Sequence, residues 1–520
     1  MTRDRYTIGI DIGTYEAKGV LATRDGSIAA FASRPVQLRV PRPGWAEHDP
    51  ETDWWANTCA LTNDLIDRGG IAPDQVDAVA LSAIGPCVVP VDVDGRSLRP
   101  AILYGIDTRA THEIAELTDR LGEARTIERC GNALTTQSVG PKILWLRRHE
   151  PEAYAAAHRF FTSTSYLVYR LTGRSVVDHY SAACFTPLYD VQRRGWAPDL
   201  AAGIVDPARL GDVAWTTEIA GTLTRHAAEA SGLRAGTPVL VGTIDAAAEA
   251  VSAGVVRPGD MMLMYGTTLF MIEVVARPIR DARLWSAPFL FPDTHALMAG
   301  MATTGALTRW LRDQFARELV EREGQGGENA YAVLAAEAAA APVASDGLVV
   351  LPYFSGERTP IQDPHAKGVV FGLTLAHTRA HVYRAALESV GLGIRHHLDV
   401  LAQIGATPRR LVAVGGGTKN PLWLQATSDI VGLPQELPSV TVGAAFGDAW
   451  LARVACDGRT ADWATSSWSR IERTVDPRPE HRGAYDAAYA TYRALYERTR
   501  TLMHASDGDG DGPVPPARSR

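Results

Sequence analysis

Residues 6–33 read YTIGIDIGTYEAKGVLATRDGSIAAFAS, and residues 259–278 read GDMMLMYGTTLFMIEVVARP. Each is an apolar run broken by Gly-Thr and followed by a second apolar run, the pattern of strand, tight turn and strand. In the first copy, Asp25-Gly26 predicts a hairpin into a third strand. The scheme recurs once, at a separation of about half the ordered chain, which predicts two related α/β domains and not a short-period solenoid.

The rest of the chain fits that division. At 520 residues it is too long for one core. An N-terminal domain over 1–255 and a C-terminal one over 256–500 are expected, hinged near Gly254–Pro258, with 501–520 as a disordered tail. Helices are predicted at Pro141–His149, 245–253 and HVYRAALESVGLGIRHHLDVL (381–401). VDAVALSAIG (76–85), TPVLVG (237–242), GLVVLPYF (347–354) and RRLVAVGGG (409–417) read as strands, the last running into a turn. Alternation of this kind argues for helices packed on sheets. Residues 276–298 read as loop-rich, and 324–346 as a Gly- and Ala-rich insertion or helix.

A net charge of −7 argues against a nucleic-acid or anionic-membrane partner. No run of about 18 apolar residues is present to span a bilayer, and the N-terminus lacks the apolar core of a signal peptide. Five cysteines, at 59, 87, 130, 184 and 456, have no paired spacing, so reduced thiols and a cytoplasmic location are expected. Lysine occurs only at 18, 142, 367 and 419; every other one of the 52 Lys and Arg residues is arginine. In the tail, Asp507, Asp509, Asp511 and Gly512 imitate the start of a calcium loop, but Arg518 stands where the bidentate Glu is needed.

Three glycine turns follow β-runs: Gly13-Thr14, Gly266-Thr267-Thr268 and Gly415-Gly416-Gly417. Glycine lets backbone N–H groups approach phosphate oxygens. One such turn is an ordinary hairpin; three, in both halves, point to phosphate binding. None is a P-loop or the full dinucleotide fingerprint. Asp11 lies inside the first apolar strand, where a carboxylate is costly unless it has donors or a cation such as Mg²⁺. Asp245, in VGTIDAAAEA (241–250), reads as a helix N-cap or as a catalytic base.

IDIGT (10–14), GTIDAAAEAVSAG (242–254), MYGTT (264–268) and GGGTKN (415–420) come in the order and spacing of the FGGY carbohydrate kinases. GVVFGLTLAHTRAHVYRAALE (368–388) resembles that family's C-terminal signature throughout, and LPYFSGERTP (351–360) looks like xylulokinases. The resemblance covers about residues 6–500 and implies α/β architecture: two actin-like (ribonuclease-H-like) ATPase domains with a cleft between them.

It also implies roles. Asp245 would be the general base toward a sugar hydroxyl, and Asp11 would organise Mg²⁺. Gly13, Thr14, Lys18, Gly266, Thr267 and Thr268 would hold the ATP phosphates, while Gly305, Gly415, Gly416, Gly417 and Asn420 would line the adenosine site. The sugar would lie beside Gly85, Pro86, Cys87, Tyr104, Asp107, Asn132, Gln137 and Asp245, with Trp45 buttressing the pocket edge. A ketopentose, xylulose first, is the implied substrate, and the family implies a homodimer as the protein partner to consider.

Departures concentrate in the implied sugar pocket. Ile84-Gly85-Pro86-Cys87 replaces a Met-His-Gly stretch, Tyr104-Gly105-Ile106-Asp107 replaces Trp-Asn-Asp, and Gln137-Ser138-Val139 departs from the N-terminal signature ahead of KILWLRRH (142–149). Ribulokinase and glycerol- or erythritol-type kinases therefore stay as alternatives. So do two other classes: a sugar- or nucleotide-binding regulator without catalysis, and an actin- or chaperone-like ATPase.

Overall fold

The computed structural model describes residues 4–458, 468 and 470–505. Strands β1 (Tyr6–Ile12), β2 (Glu16–Thr23) and β3 (Ile28–Pro35) form the meander that the opening stretch predicts. With β4 (Val76–Ala83), β5 (Ile219–Thr222) and β6 (Pro238–Leu240) they make a mixed sheet in the order β5-β6-β4-β1-β2-β3, and the short β7 (Thr243–Ile244) pairs with β4.

Residues of β1 alternate between two covered faces, which is why the strand reads as almost continuously apolar. Ile8, Ile10 and Ile12 are fully buried in one core cluster with Leu61 and Leu65 of helix α1 (Ala56–Gly69). Burial of each such side chain contributes roughly 1.5–3 kcal/mol. Thr7 and Gly9 take the opposite parity. The Thr7 hydroxyl donates to the Ala449 carbonyl at 2.9 Å, and a Cβ on Gly9 would lie 1.9 Å from the Ala445 carbonyl oxygen. Backbone contact this close requires glycine on the strand.

The implied-signature helix is α2 (Val139–His149), and α3 (Ser163–Thr172) follows it. Helix α4 (Asp245–Ser252) begins at Asp245, and its alanines pack it against a C-terminal helix described below.

A second mixed sheet begins with β8 (Asp260–Tyr265) and β9 (Leu269–Val275), the predicted second strand pair. β10 (Trp285–Pro288) and β11 (His295–Met301) follow. Residues 276–298 therefore contain two strands where loop was expected. HALMAGM is buried along its whole length, so it lacks the alternation that marks a half-exposed strand.

Helices α5 (Gly305–Phe315), α6 (Ala330–Ala339) and α7 (Arg379–Gln403) come next. The predicted strand in 347–354 is the short Val349–Leu351. β12 (Arg410–Val414), α8 (Pro421–Val431), β13 (Gln435–Pro438), α9 (Ala444–Asp457), β14 (Ile471–Val475) and α10 (Arg482–Ala505) complete the chain. The second sheet runs β10-β11-β9-β8-β12-β13-β14. α10 takes in 501–505 of the predicted tail; the remainder, with Asp507, Asp509, Asp511 and Gly512, lies outside the described residues.

The chain forms two compact units that do not follow a single cut at 255/256. The first takes Met1–Asp260, Ile272–Leu297 and Pro438–Arg470; the second takes Met261–Met271, Met298–Leu437 and Ile471–Arg520. Helix α9 thus belongs to the first unit. A Cβ on Gly447 of α9 would meet the Ala248 carbonyl of α4 at 2.0 Å. Among the described residues no helix is long and apolar enough to cross a membrane, and all five cysteines are free thiols.

Candidate active site

In the first unit, one carboxyl group opens the site. Asp245 is the first residue of α4, one position inside the N-cap: Ile244 holds the cap position and makes no side-chain cap bond. The Asp245 Oδ1 accepts the Ala246 N–H at 2.7 Å. Placement at a helix start predicts the ionised form. Burial wins instead, and with the nearby Glu249 carboxylate it raises the pKa to about 7, against the lowering effect of the Ala246 bond.

Asp11 stands at the end of β1, buried, with an Oδ1 that has no hydrogen-bond partner. Burial raises its pKa well above the carboxylate range. Asp245, Asp448 and Glu249 add to that, and Lys18 opposes it. Lys18 is Asp11's cross-strand partner in the β1–β2 register. Asp448 of α9, fully buried, accepts the Ser82 hydroxyl at 2.6 Å and is also pushed up, mainly by burial. Glu249, one α4 turn past Asp245, sits where a side chain on Gly443 would fall, 2.6 Å from a Cβ there. Four carboxyls are thus gathered near one lysine, a charge imbalance that a cation would relieve. Among the described residues no three His, Cys, Asp or Glu side chains converge as a metal cage. Mg²⁺ would need only one or two of these carboxylates, with waters and phosphate oxygens as its other ligands.

The Gly13-Thr14 turn lies beside these groups, closed by the Gly13 N–H to Glu16 carbonyl bond at 3.0 Å. A residue that the sequence reading passed over holds it. His48, fully buried, accepts the Trp54 indole N–H on Nδ1 at 3.1 Å, which leaves Nε2 to donate to the Thr14 carbonyl, also at 3.1 Å. Burial lowers the His48 pKa to about 4, so the ring is neutral and this tautomer persists at ordinary pH. The only sequence signal was a His in PGWAEHDP, next to the Trp45 that was singled out.

The implied sugar residues divide. Tyr104 is half-buried, with its hydroxyl 3.5 Å from the Thr14 hydroxyl. Gln137 accepts the Gly105 N–H at 3.0 Å. Cys87 is buried, its thiol donating to the Ile84 carbonyl at 3.2 Å, and burial pushes that thiol far up. Gly85 and Pro86 precede it in the same loop. Lys142, fully buried, donates to the Leu103 and Tyr104 carbonyls at 2.5 and 3.1 Å, with a pKa lowered to about 8 by burial.

Asp107 and Asn132 are engaged elsewhere. Asp107 forms a buried pair with Arg109 at 2.7 Å and accepts the Ala46 N–H at 2.7 Å. The Arg109 guanidinium lies 3.9 Å from the Trp45 ring centre, so Trp45 packs on that ion pair. Asn132 is tied through both amide atoms to the Ser286 backbone, at 2.9 and 2.8 Å.

The second unit contains a cavity of about 1540 Å³, roomy enough for a nucleotide. Gly266, Thr267, Gly305, Gly416, Gly417 and Asn420 line it, which brings six of the implied ATP residues together. Thr268 and Gly415 are not among the lining residues. The Gly305 N–H donates to the Gly266 carbonyl at 3.1 Å, and the Ala306 N–H to the Thr267 carbonyl at 3.0 Å, joining the Gly-Thr turn to the start of α5. Asn420 caps α8 through the Trp423 N–H at 3.1 Å. The remaining wall went unread in the sequence: Ala332, Ala335, Ala336 and Ala339 line the cavity from one stripe of α6, with Trp310 and Tyr331 nearby. Alanine repeats carry no chemical signal, so the stretch reads as an insertion or helix, and the helix is what forms.

Residues 6–252 match the N-terminal domain, and residues 261–456 the C-terminal domain, of the FGGY family of carbohydrate kinases. The chain belongs to this family. The FGGY kinase is 32% identical over 505 residues to the xylulose kinase of Escherichia coli (strain K12), covering 95% of this chain and 99% of the other. It is 29% identical over 513 residues to the glycerol kinase of Nocardia farcinica (strain IFM 10152), covering 93% and 98%. Among solved structures, the xylulose kinase from Rhodospirillum rubrum superposes on this FGGY kinase with a TM-score of 0.89 at 35% identity, over 96% of this chain and all of that one.

Proposed function

We propose that this FGGY kinase transfers the γ-phosphoryl group of ATP to a hydroxyl of a ketopentose, D-xylulose giving D-xylulose 5-phosphate. The observation that carries the reading is Asp245: a carboxyl at a helix start, beside Asp11 and the Gly13-Thr14 turn, with a pKa about 7. A base poised near the working pH both accepts a proton and spends enough time ionised to do so.

The sugar hydroxyl oxygen attacks the γ-phosphorus, Asp245 takes its proton, and the bond from phosphorus to the bridging oxygen breaks to release ADP. Asp11 would hold Mg²⁺, which neutralises phosphate charge when bound. In the first unit Lys18 and Thr14 would bind phosphate oxygens; in the second the Gly266–Thr268 turn would do the same, and the alanine-walled cavity would take the adenosine. Tyr104, Gln137 and the 84–87 loop would face the sugar. Free thiols at all five cysteines fit a cytoplasmic setting.

A polyol such as glycerol remains the second reading on one observation. Cys87 turns its thiol inward to Ile84, so the loop at 85–87 presents no side-chain hydrogen-bonding group to a sugar. An ADP-release assay over pentuloses, hexuloses and polyols separates the two. D-xylulose is expected to respond most strongly and the response to collapse in Asp245→Asn. A glycerol maximum overturns the ketopentose reading, and full activity in Asp245→Asn overturns the base.

A further inference from the structure

The strand that delivers Asp245 is poorly held by its sheet. β7 is two residues long, and it follows Gly242, whose φ of +72° kinks the chain. A Cβ at Gly242 would lie 2.2 Å from the Leu81 carbonyl oxygen, so only glycine passes there. Two ladder positions, Thr243 with Ser82 and Ile244 with Ala83, are all that the sheet supplies. A general base needs its position fixed far better than two ladder positions provide, because misplacement by about 1 Å can cost 10²-fold.

Side chains outside the sheet supply the rest. The Thr164 hydroxyl donates to the Thr243 carbonyl at 2.6 Å, and the Thr243 hydroxyl donates to Asp178 at 2.8 Å. Asp178 also accepts the Thr216 hydroxyl at 3.2 Å and the Ser181 N–H at 3.2 Å. One residue before Thr164, the Ser163 hydroxyl donates to the Ile84 carbonyl at 2.5 Å, at the root of the 84–87 loop. The Ile84 N–H in turn donates to the Ile12 carbonyl at 2.7 Å, next to the Gly13-Thr14 turn. Ser163, Thr164, Asp178, Thr216 and Thr243 are all at most 3% exposed.

We infer that Ser163, Thr164 and Asp178 are positioning residues: a buried bracket at the start of α3 that fixes Asp245 relative to the 84–87 loop. The inference rests on the reading of Asp245 as the base. Its logic is that adjacent residues of one helical turn grip the two strand ends flanking the site. Ser163 takes the loop side and Thr164 the base side, so their spacing is set by a rigid helix and not by a loop. Asp178 completes the grip from behind, through a side chain and not the backbone. The Thr164 hydroxyl holds the Thr243 carbonyl from outside the sheet, and the Ser163 hydroxyl shares the Ile84 carbonyl with the Cys87 thiol, so removing either hydroxyl loosens that grip.

The test uses the full chain, with Thr164→Val, Thr164→Ser and Ser163→Ala beside Asp245→Asn. Folding is checked by thermal melting, and steady-state kinetics are run against D-xylulose and ATP. In Thr164→Val, kcat with D-xylulose should fall about 10–100-fold, while KM for ATP stays within about twofold. Thr164→Ser, which restores the donor, should recover most of the loss. Ser163→Ala should raise KM for D-xylulose more than it lowers kcat, because it frees the loop and not the base. A folded Thr164→Val with wild-type kcat, or a Thr164→Ser no better than Thr164→Val, overturns the bracket. If Thr164→Val does not fold, Ser163→Ala decides, and an unchanged KM there overturns it. Activity retained in Asp245→Asn overturns the base reading instead, whichever way the bracket variants behave.

Discussion

Lys18 faces Asp11 across the first hairpin, as its register partner in β1 and β2, with the Gly13-Thr14 turn between them. It opposes the upward push that burial and three other carboxyls exert on Asp11. Lys18→Ala is therefore expected to act twice. On the proposed reading it removes a phosphate donor, at a cost of about 10²-fold in kcat, and it makes Asp11 harder to ionise. The expected result is a higher Mg²⁺ requirement as well as the lower rate. A variant with a wild-type Mg²⁺ titration curve would refute the coupling.

Asp245 carries two pH signatures of opposite sense. As a base with a pKa about 7, it should give kcat/KM an acid limb near pH 7 that belongs to the whole carboxyl cluster. For stability, its pKa is raised in the folded state above the ordinary 3.8, so the native fold favours the protonated form. The group therefore costs nothing below pH 3.8, and its cost grows as pH rises to 7 and then levels off. Asp245→Asn should consequently melt above the wild type at pH 8, with the gap closing toward pH 4. A gap that widens on acidification would contradict the assignment.

The alanine stripe of α6 predicts a nucleotide-specific defect. Ala335→Leu pushes a branched side chain into the cavity that Gly266, Gly416 and Asn420 also line. KM for ATP should rise at least about tenfold, the equivalent of 1.4 kcal/mol, with KM for the sugar unchanged. An unaltered ATP KM would remove this wall from the nucleotide site.

Asp107→Asn separates architecture from recognition. The residue pairs with Arg109 where both side chains are fully buried, so breaking the pair should lower stability by about 3–5 kcal/mol. Chemical denaturation reads that loss. Protein that remains folded should bind sugar with near-normal KM; a large KM change at constant stability would return Asp107 to the sugar pocket.

The two sheets were legible because Gly-Thr interrupts apolar runs at 13–14 and again at 266–267, a local signal. The carboxyls at 11 and 245 were legible for a similar reason: each is a lone charge in apolar surroundings. Three things were not. β11 is buried on both faces, so its sequence lacks alternation. Helix α9, some two hundred residues after α4 in the chain, returns to the first unit by tertiary packing that no local window contains. His48 matters through its ring nitrogens' partners, Trp54 and Thr14, and a hydrogen-bonding partner is not written in a motif. Asp245 was legible as a helix start but not as the N-cap, which is Ile244, and burial outweighs the ionising effect of that position.

The interlock of α4 and α9 has an evolutionary consequence. Gly447 admits the Ala248 carbonyl at a distance where any side chain would collide, and Gly9 admits the backbone of α9 just as closely. The helix that carries Asp245, the proposed base, therefore stands against positions that tolerate only glycine. The loops at 84–87 and 104–107 are held by side chains instead: a Cβ at Gly85 would meet the Ile244 side chain, Gly105 pairs with Gln137, and Asp107 pairs with Arg109. On the proposed reading, a lineage built on this plan exchanges one polyhydroxylated substrate for another by rewriting loop positions, with Asp245 and its glycine-bounded helix left as they were.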